Sequence, residues 1–194
     1  MKTLARFLFT LLIANGVVAQ PIPLHWLGEK VPTRTSGQSW GVPFPKGKIK
    51  PNQSFILSDA FGKNLPLQSW NLAYWPDGSL KWVGFATVAD HIKGELQLTR
   101  SNAKAAPTTT IQVIENTRNI LINNGKITCQ IPKQGSSLLD SLKINNQLVG
   151  LQGQLVCIRQ SSFESDVYES STKEKFTSEV QKVTVEQKGD VRAV

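Results

Sequence analysis

The stretch Gln68–Ala86, QSWNLAYWPDGSLKWVGFA, sets two runs dense in aromatic and aliphatic residues on either side of a five-residue break, Trp75-Pro76-Asp77-Gly78-Ser79. Proline fixes φ for the first central position of a turn, aspartate suits the second, and glycine takes the positive φ that closes a type I turn with a bulge. The spacing predicts a β-hairpin. Strict alternation places Trp70, Leu72 and Tyr74 on one side of the first strand and Asn71, Ala73 and Trp75 on the other. In the second strand Leu80, Trp82, Ala86 and Val88 alternate with Lys81, Val83, Phe85 and Thr87, so apolar groups occupy both faces. A hairpin of that kind has to be packed inside a larger β-structure.

Working outward, no segment beyond residue 19 sustains three turns of helical periodicity, and short apolar runs are separated by turn residues throughout. The expected class is all-β, a barrel or sandwich. Residues 21–51 hold too many prolines and glycines for a helix. His25–Leu27 and Gln38–Val42 read as edge strands there. Phe55–Asp59 reads as a strand, Ala60–Lys63 as a turn, and Gly94–Thr99 as the strand that closes a first unit, residues 20–100. Ser101–Thr110, SNAKAAPTTT, has no apolar anchor larger than alanine and reads as a linker. The second unit, residues 111–194, opens with Ile111–Ile114, and Asn124-Gly125 lies between two strand-like runs, a strong hairpin signal. Asn145-Asn146 predicts another hairpin. Gln160–Ser178 reads as a polar hairpin or surface excursion. Glu179–Val194 alternates around a Lys188-Gly189-Asp190 turn and ends in a fresh strand, Val191–Val194, which suggests the front part of a longer protein.

Residues Met1–Ala19 have the make-up of an export signal: Lys2 and Arg6, an apolar run from Phe7 to Ala14, and the small-residue ending Val17-Val18-Ala19. The apolar run is too short for a comfortable membrane span. The expectation is an exported chain, periplasmic or extracellular, free of the membrane once the signal is removed. Loss of Lys2 and Arg6 lowers the formal charge from +8 to +6. The cations are spread out, Lys46, Lys48 and Lys50 being the densest group, so a solvated surface is expected and no nucleic-acid partner. In an oxidising compartment Cys129 and Cys157 can pair. Equally, Cys129 alternates with Ile127 and Ile131 and reads as a buried thiol.

Catalytic groups are sparse. His25 and His91 stand apart, without HxH or HExxH spacing, and there is no GxSxG, phosphate loop or dinucleotide fingerprint. No metal or cofactor is identifiable. Asp59, Asp77, Asp90 and Asp140 are at or near turns, where aspartate serves the backbone. Among the five tryptophans, Trp70 and Trp82 lie within alternating strands and read as barrel core, whereas Trp40 and Trp75 lie beside loops and are candidates for stacking on sugar rings.

Two phrases, WGVPFPKG (Trp40–Gly47) and PLQSWNLAYWPDGSLKWVGFA (Pro66–Ala86), together resemble the N-terminal domain of the exo-rhamnogalacturonan lyase and YetA-like family. The resemblance implies a small RIFT-type β-barrel followed by a central β-sandwich, incomplete here, and then an α/α toroid. It implies a polysaccharide lyase that cleaves rhamnogalacturonan, an acidic pectic polysaccharide of plants, by β-elimination. That chemistry needs a cation or strong donors on the uronate carboxylate and a base for the C5 proton. In the family those groups are expected mostly in later domains of the same polypeptide, so no catalytic residue is assigned. The binding candidates are Trp40, Trp75, Lys46 and Lys81, with Arg159 a further cation able to meet a uronate. The competing readings are a self-contained carbohydrate-binding module, using Trp40 and Trp75, and a purely structural β-domain of a larger exported protein.

Overall fold

The structure, a computed structural model, describes residues 20–31, 33–89, 92, 94–102, 111–161 and 172–194. Residues 1–19, read above as an export signal, residues 103–110 of the stretch read as a linker, Asp90, His91 and residues 162–171 of the polar stretch Gln160–Ser178 lie outside the described residues. Fourteen strands are formed by the described residues. In the first unit they are β1 (Ile22–Leu24), β2 (Ser36–Pro43), β3 (Ser54–Ser58), β4 (Asn64–Leu65), β5 (Gln68–Tyr74), β6 (Leu80–Ala89) and β7 (Leu96–Ser101). The second unit has β8 (Gln112–Glu115), β9 (Asn119–Asn123), β10 (Ile127–Pro132), β11 (Leu139–Ile144), β12 (Gln147–Gly153), β13 (Val156–Gln160) and β14 (Lys173–Thr177). All pairings are antiparallel. The fold is all-β.

Two sheets build the barrel, one in the order β1-β7-β3-β4 and one in the order β2-β6-β5. The core lies between them. Val42, Phe55, Leu57, Leu80, Val83, Phe85 and Leu98 form its centre, and Phe85 meets Phe55 edge-on at 5.1 Å between ring centroids. The buried polar residues Asp59 and Thr87 are both satisfied: the carboxylate of Asp59 accepts from the N–H groups of Phe61 and Lys63, both at 2.9 Å, which closes the Ala60–Lys63 turn. The Thr87 hydroxyl donates to the Pro66 carbonyl at 2.6 Å.

The opening hairpin is β5–β6, but its faces are not those of strict alternation. Asn71 pairs with Val83, Ala73 with Trp82 and Tyr74 with Leu80, so Leu72 on one strand and Lys81 on the other are left without partners. These two bulges each reverse the parity of the strand that carries them. Leu80 therefore turns inward with Val83 and Phe85, while Trp82 is 41% exposed. The expectation from alternation that Trp70 and Trp82 are barrel core is corrected: neither belongs to it. They lie on the outer face, Trp70 across Gly84 and Trp82 across Gly41, where any Cβ would collide with an indole ring.

The second unit carries a five-stranded sheet, β12-β11-β10-β9-β8, and the two-stranded ribbon β13-β14. The ribbon pairs Val156–Gln160 with Lys173–Thr177, at the two ends of the polar stretch Gln160–Ser178, whose residues 162–171 lie outside the described residues. One row of the larger sheet runs Val113, Ile122, Cys129, Leu142 and is half-buried, and Ile120 is the apolar residue buried most deeply in this unit. Cys129 and Cys157 are both free thiols, and burial pushes the Cys129 thiol upward from its ordinary range. Asn145 and Asn146 both take positive φ, 49° and 65°, the geometry of a two-residue type I′ hairpin.

Residues 179–194 depart from expectation: they form isolated bridges, Gly135 with Val180 and Lys188 with Ala193, in place of strands. Two of their backbone donors are met from the barrel. The side-chain oxygen of Gln68 accepts from the N–H groups of Val191 (3.2 Å) and Arg192 (2.8 Å), and the Arg192 guanidinium covers the Trp70 ring at 5.0 Å. Gly189 sits where a Cβ would overlap the Gln68 amide. The same segment is tied to the second sheet, because Glu115 accepts from Lys188 and Lys133, both at 2.9 Å.

Those two lysines, Lys188 foremost, lower the Glu115 pKa from an ordinary 4.5 to about 2. A carboxyl whose folded pKa lies below its unfolded one adds stability above the unfolded value and loses it as pH falls through the folded one. The tie is therefore expected to be complete above about 4.5 and gone below about 2. Carbon-detected titration of the Glu115 carboxyl checks this: Lys188→Met is expected to move its midpoint upward, and an unmoved midpoint shows that Lys188 does not hold the carboxylate in solution.

Candidate functional site

The turn Trp75–Ser79 is held by its own backbone and then docked on a neighbouring loop. Gly78 N–H donates to the Trp75 carbonyl at 2.9 Å and Trp75 N–H to the Ser79 carbonyl at 2.8 Å. Gly78 has φ 80°, the left-handed position the bulged turn requires. Asp77 Oδ1 accepts from the Ser79 hydroxyl (2.6 Å) and N–H (3.0 Å). The Ser79 hydroxyl, then its N–H, with the charge of Lys46 adding to both, holds the Asp77 carboxyl below its ordinary range. Ser79 Oγ in turn accepts from Gly47 N–H at 2.8 Å. Trp75 Nε1 donates to the Phe44 carbonyl at 2.9 Å, and Lys81 Nζ lies 4.8 Å from the Trp75 ring centroid.

Three of the four binding candidates, Lys46, Trp75 and Lys81, thus meet around one turn. The polar edge of Trp75 is spent on Phe44 and its ring partners a cation, so the arrangement fixes the loop Phe44–Lys50 to the hairpin. Trp40 is elsewhere. It stacks on Phe85 with ring centroids 5.8 Å apart and, with Trp26, His25, Gln38 and Leu96, lines a cavity of about 330 Å³. The indole nitrogens of Trp26 and Trp40 are buried without a hydrogen-bond partner. Arg159 is on β13, paired with Glu174 of β14. Among the described residues no group of three or more His, Cys, Asp or Glu side chains can hold a metal ion, and no helix is long and apolar enough to cross a membrane.

Comparison with known proteins matches residues 20–101 to the PcRGLX-like N-terminal RIFT barrel domain and residues 111–194 to the PcRGLX-like protein central beta sandwich domain. The chain belongs to the rhamnogalacturonan lyase-like family. A relative, the uncharacterized protein YetA of Bacillus subtilis (strain 168), is 32% identical over 171 residues, 88% of this chain and 20% of the relative's length. All four binding candidates fall in this family's RIFT barrel domain, while the Arg192 that covers Trp70 comes from its central sandwich domain.

A further group of side chains escaped the reading of the sequence. The β3–β7 register sets Phe55 opposite Arg100 and Ser54 opposite Ser101, which carries Arg100 to the loop that precedes β3. There Lys48, Lys50, Asn52, Gln53, Arg100 and Asn102 line a polar cleft of about 460 Å³. The lysines were visible in the sequence as a loop cluster. What brings Arg100 beside them is strand pairing across some fifty residues, and no local signal reports that.

Proposed function

We propose that this chain is the N-terminal, non-catalytic portion of an exported lyase that acts on rhamnogalacturonan by β-elimination. Its partners are then the acidic pectic polysaccharide and the later domains of the same polypeptide. The observation that carries the non-catalytic reading is the seam at Gln68. The outer face of the barrel is engaged in holding the next domain, through two backbone N–H groups on one amide oxygen and a guanidinium on Trp70. Such a joint orients the sandwich relative to the barrel, which is the work of a scaffold. The residues that first drew attention, Trp75, Lys81 and Lys46, are likewise engaged in fixing a loop. Family membership supports the substrate class, and the make-up of residues 1–19 supports export.

Incubating the purified chain with rhamnogalacturonan and following the ultraviolet absorbance of unsaturated uronate ends tests the reading. No product is expected from this chain alone, whereas a longer polypeptide with these two domains at its front is expected to form it. Cleavage by the 194 residues alone would overturn the non-catalytic assignment.

A further inference from the structure

We propose that the cleft lined by Lys48, Lys50, Asn52, Gln53, Arg100 and Asn102 binds a carboxylate-bearing saccharide, a uronate unit of an acidic glycan. Three cations converge there, and no aspartate or glutamate lines the cleft. Several other cations of the described chain are answered by an anion or a ring: Lys133 and Lys188 by Glu115, Arg159 by Glu174, Lys81 by Trp75. Arg100 is fixed in place by its strand and by a long contact from Nη1 to the Lys48 carbonyl at 3.5 Å, which keeps the guanidinium beside the loop. Gln53 donates to the carbonyls of Ser54 (3.0 Å) and Ser101 (2.9 Å), so the floor is pinned to both β3 and β7.

The chemistry of the lining selects the ligand. A planar guanidinium takes a carboxylate through two parallel hydrogen bonds, and two ammonium groups add to its field. The amides of Asn52 and Asn102 supply donors and acceptors for hydroxyl groups. The volume of about 460 Å³ is within the range of small-ligand sites, yet the wall is polar, which suits a hydroxyl-rich ring over an apolar one. The choice of a uronate as the carboxylate carrier rests on the pectic reading above; the charge of the site does not.

Titrating the complete chain with galacturonate oligomers, with backbone amide shifts as the readout, tests this. Shifts are expected at residues 48–53 and 100–102, and affinity is expected to fall several-fold as salt rises from about 0.02 to about 0.2 M. The variant Lys48→Gln/Lys50→Gln/Arg100→Gln is expected to bind about tenfold more weakly. Arg100→Lys, which keeps the charge and gives up the fork, guards against a folding defect and is expected to lose about threefold. Methyl-esterified oligomers are expected to bind no better than the triple variant binds the acid. Unchanged affinity in both variants, equal binding of the methyl ester, or tighter binding of a single-stranded DNA of equal charge would each overturn the proposal. Shifts confined to other residues remove the cleft while leaving the pectic reading standing, and absence of lyase activity in the longer polypeptide removes that reading while leaving the cleft.

Discussion

Replacing Phe85 with alanine is expected to destabilise the barrel by about 3–5 kcal/mol, the range for deleting a fully buried aromatic side chain. Phe85 is 0% exposed and joins the two sheets, stacked on Trp40 of β2 and edge-on to Phe55 of β3. Removing the ring takes apolar area out of the core and leaves a void that neither neighbour can fill without leaving its rotamer. A small domain is stable by only about 5–15 kcal/mol in total, so a large share of the margin goes. The midpoint of thermal unfolding is expected to fall by about 15–30 °C. Leu148→Ala, at a side chain 51% exposed on β12, is the matched control and is expected to stay within about 0.5 kcal/mol. Near-ultraviolet dichroism from Trp40 is expected to weaken in step with Phe85→Ala. A loss below about 1 kcal/mol would mean that the two sheets do not close over Phe85.

What could be read from the sequence divides along local against non-local physics. The turns were legible because their chemistry is contained in a few residues: Pro76, Asp77 and Gly78 dictate the bulged turn, and Asn145-Asn146 the tight one. Core positions such as Val83 and Phe85 were on one face of the alternation, though the sequence left open which face was inside. The faces of Trp70 and Trp82 were misjudged because bulges at Leu72 and Lys81 carry no composition signal; neither glycine nor proline marks them. His25–Leu27 was expected to be a strand, yet β1 ends at Leu24 and Leu27–Glu29 forms a 3-10 turn around Gly28, whose φ is 75°. Residues 191–194 have strand composition but no ladder, since a side-chain amide 123 residues away from Val191 takes the place of a partner strand. Of the site, Trp75, Lys81 and Lys46 were named one by one as binding candidates, and their meeting around one turn is a property of packing. Arg100 belongs to the cleft solely through β3–β7 register.

The outer face of β5–β6 yields the other large expected effect. Gly84→Ala is expected to cost about 1–3 kcal/mol, as overpacking does in a filled site. Gly84 is buried, and the Cβ of alanine would occupy the space of the Trp70 indole, closer than real Cβ contacts allow. Trp70 cannot simply swing outward, because the Arg192 guanidinium lies over its ring at 5.0 Å while Gln68, two residues earlier on the same strand, holds the N–H groups of Val191 and Arg192. The added methyl is therefore expected to act at the seam as well as in the sheet, so amide exchange at Val191 and Arg192 should quicken beyond the global loss of stability. Gly41→Ala is the contrast. Its Cβ meets Trp82, a ring already 41% exposed that can rotate into solvent, and the expected cost is below about 1 kcal/mol. Trp70→Ala in the Gly84→Ala background separates collision from backbone effects. The pair should be less destabilised than the two single changes added together, because with the indole gone the methyl has nothing to strike. Additive costs, or exchange at Arg192 unchanged by Gly84→Ala, would show that Trp70 is not the element through which the barrel grips the domain that follows it.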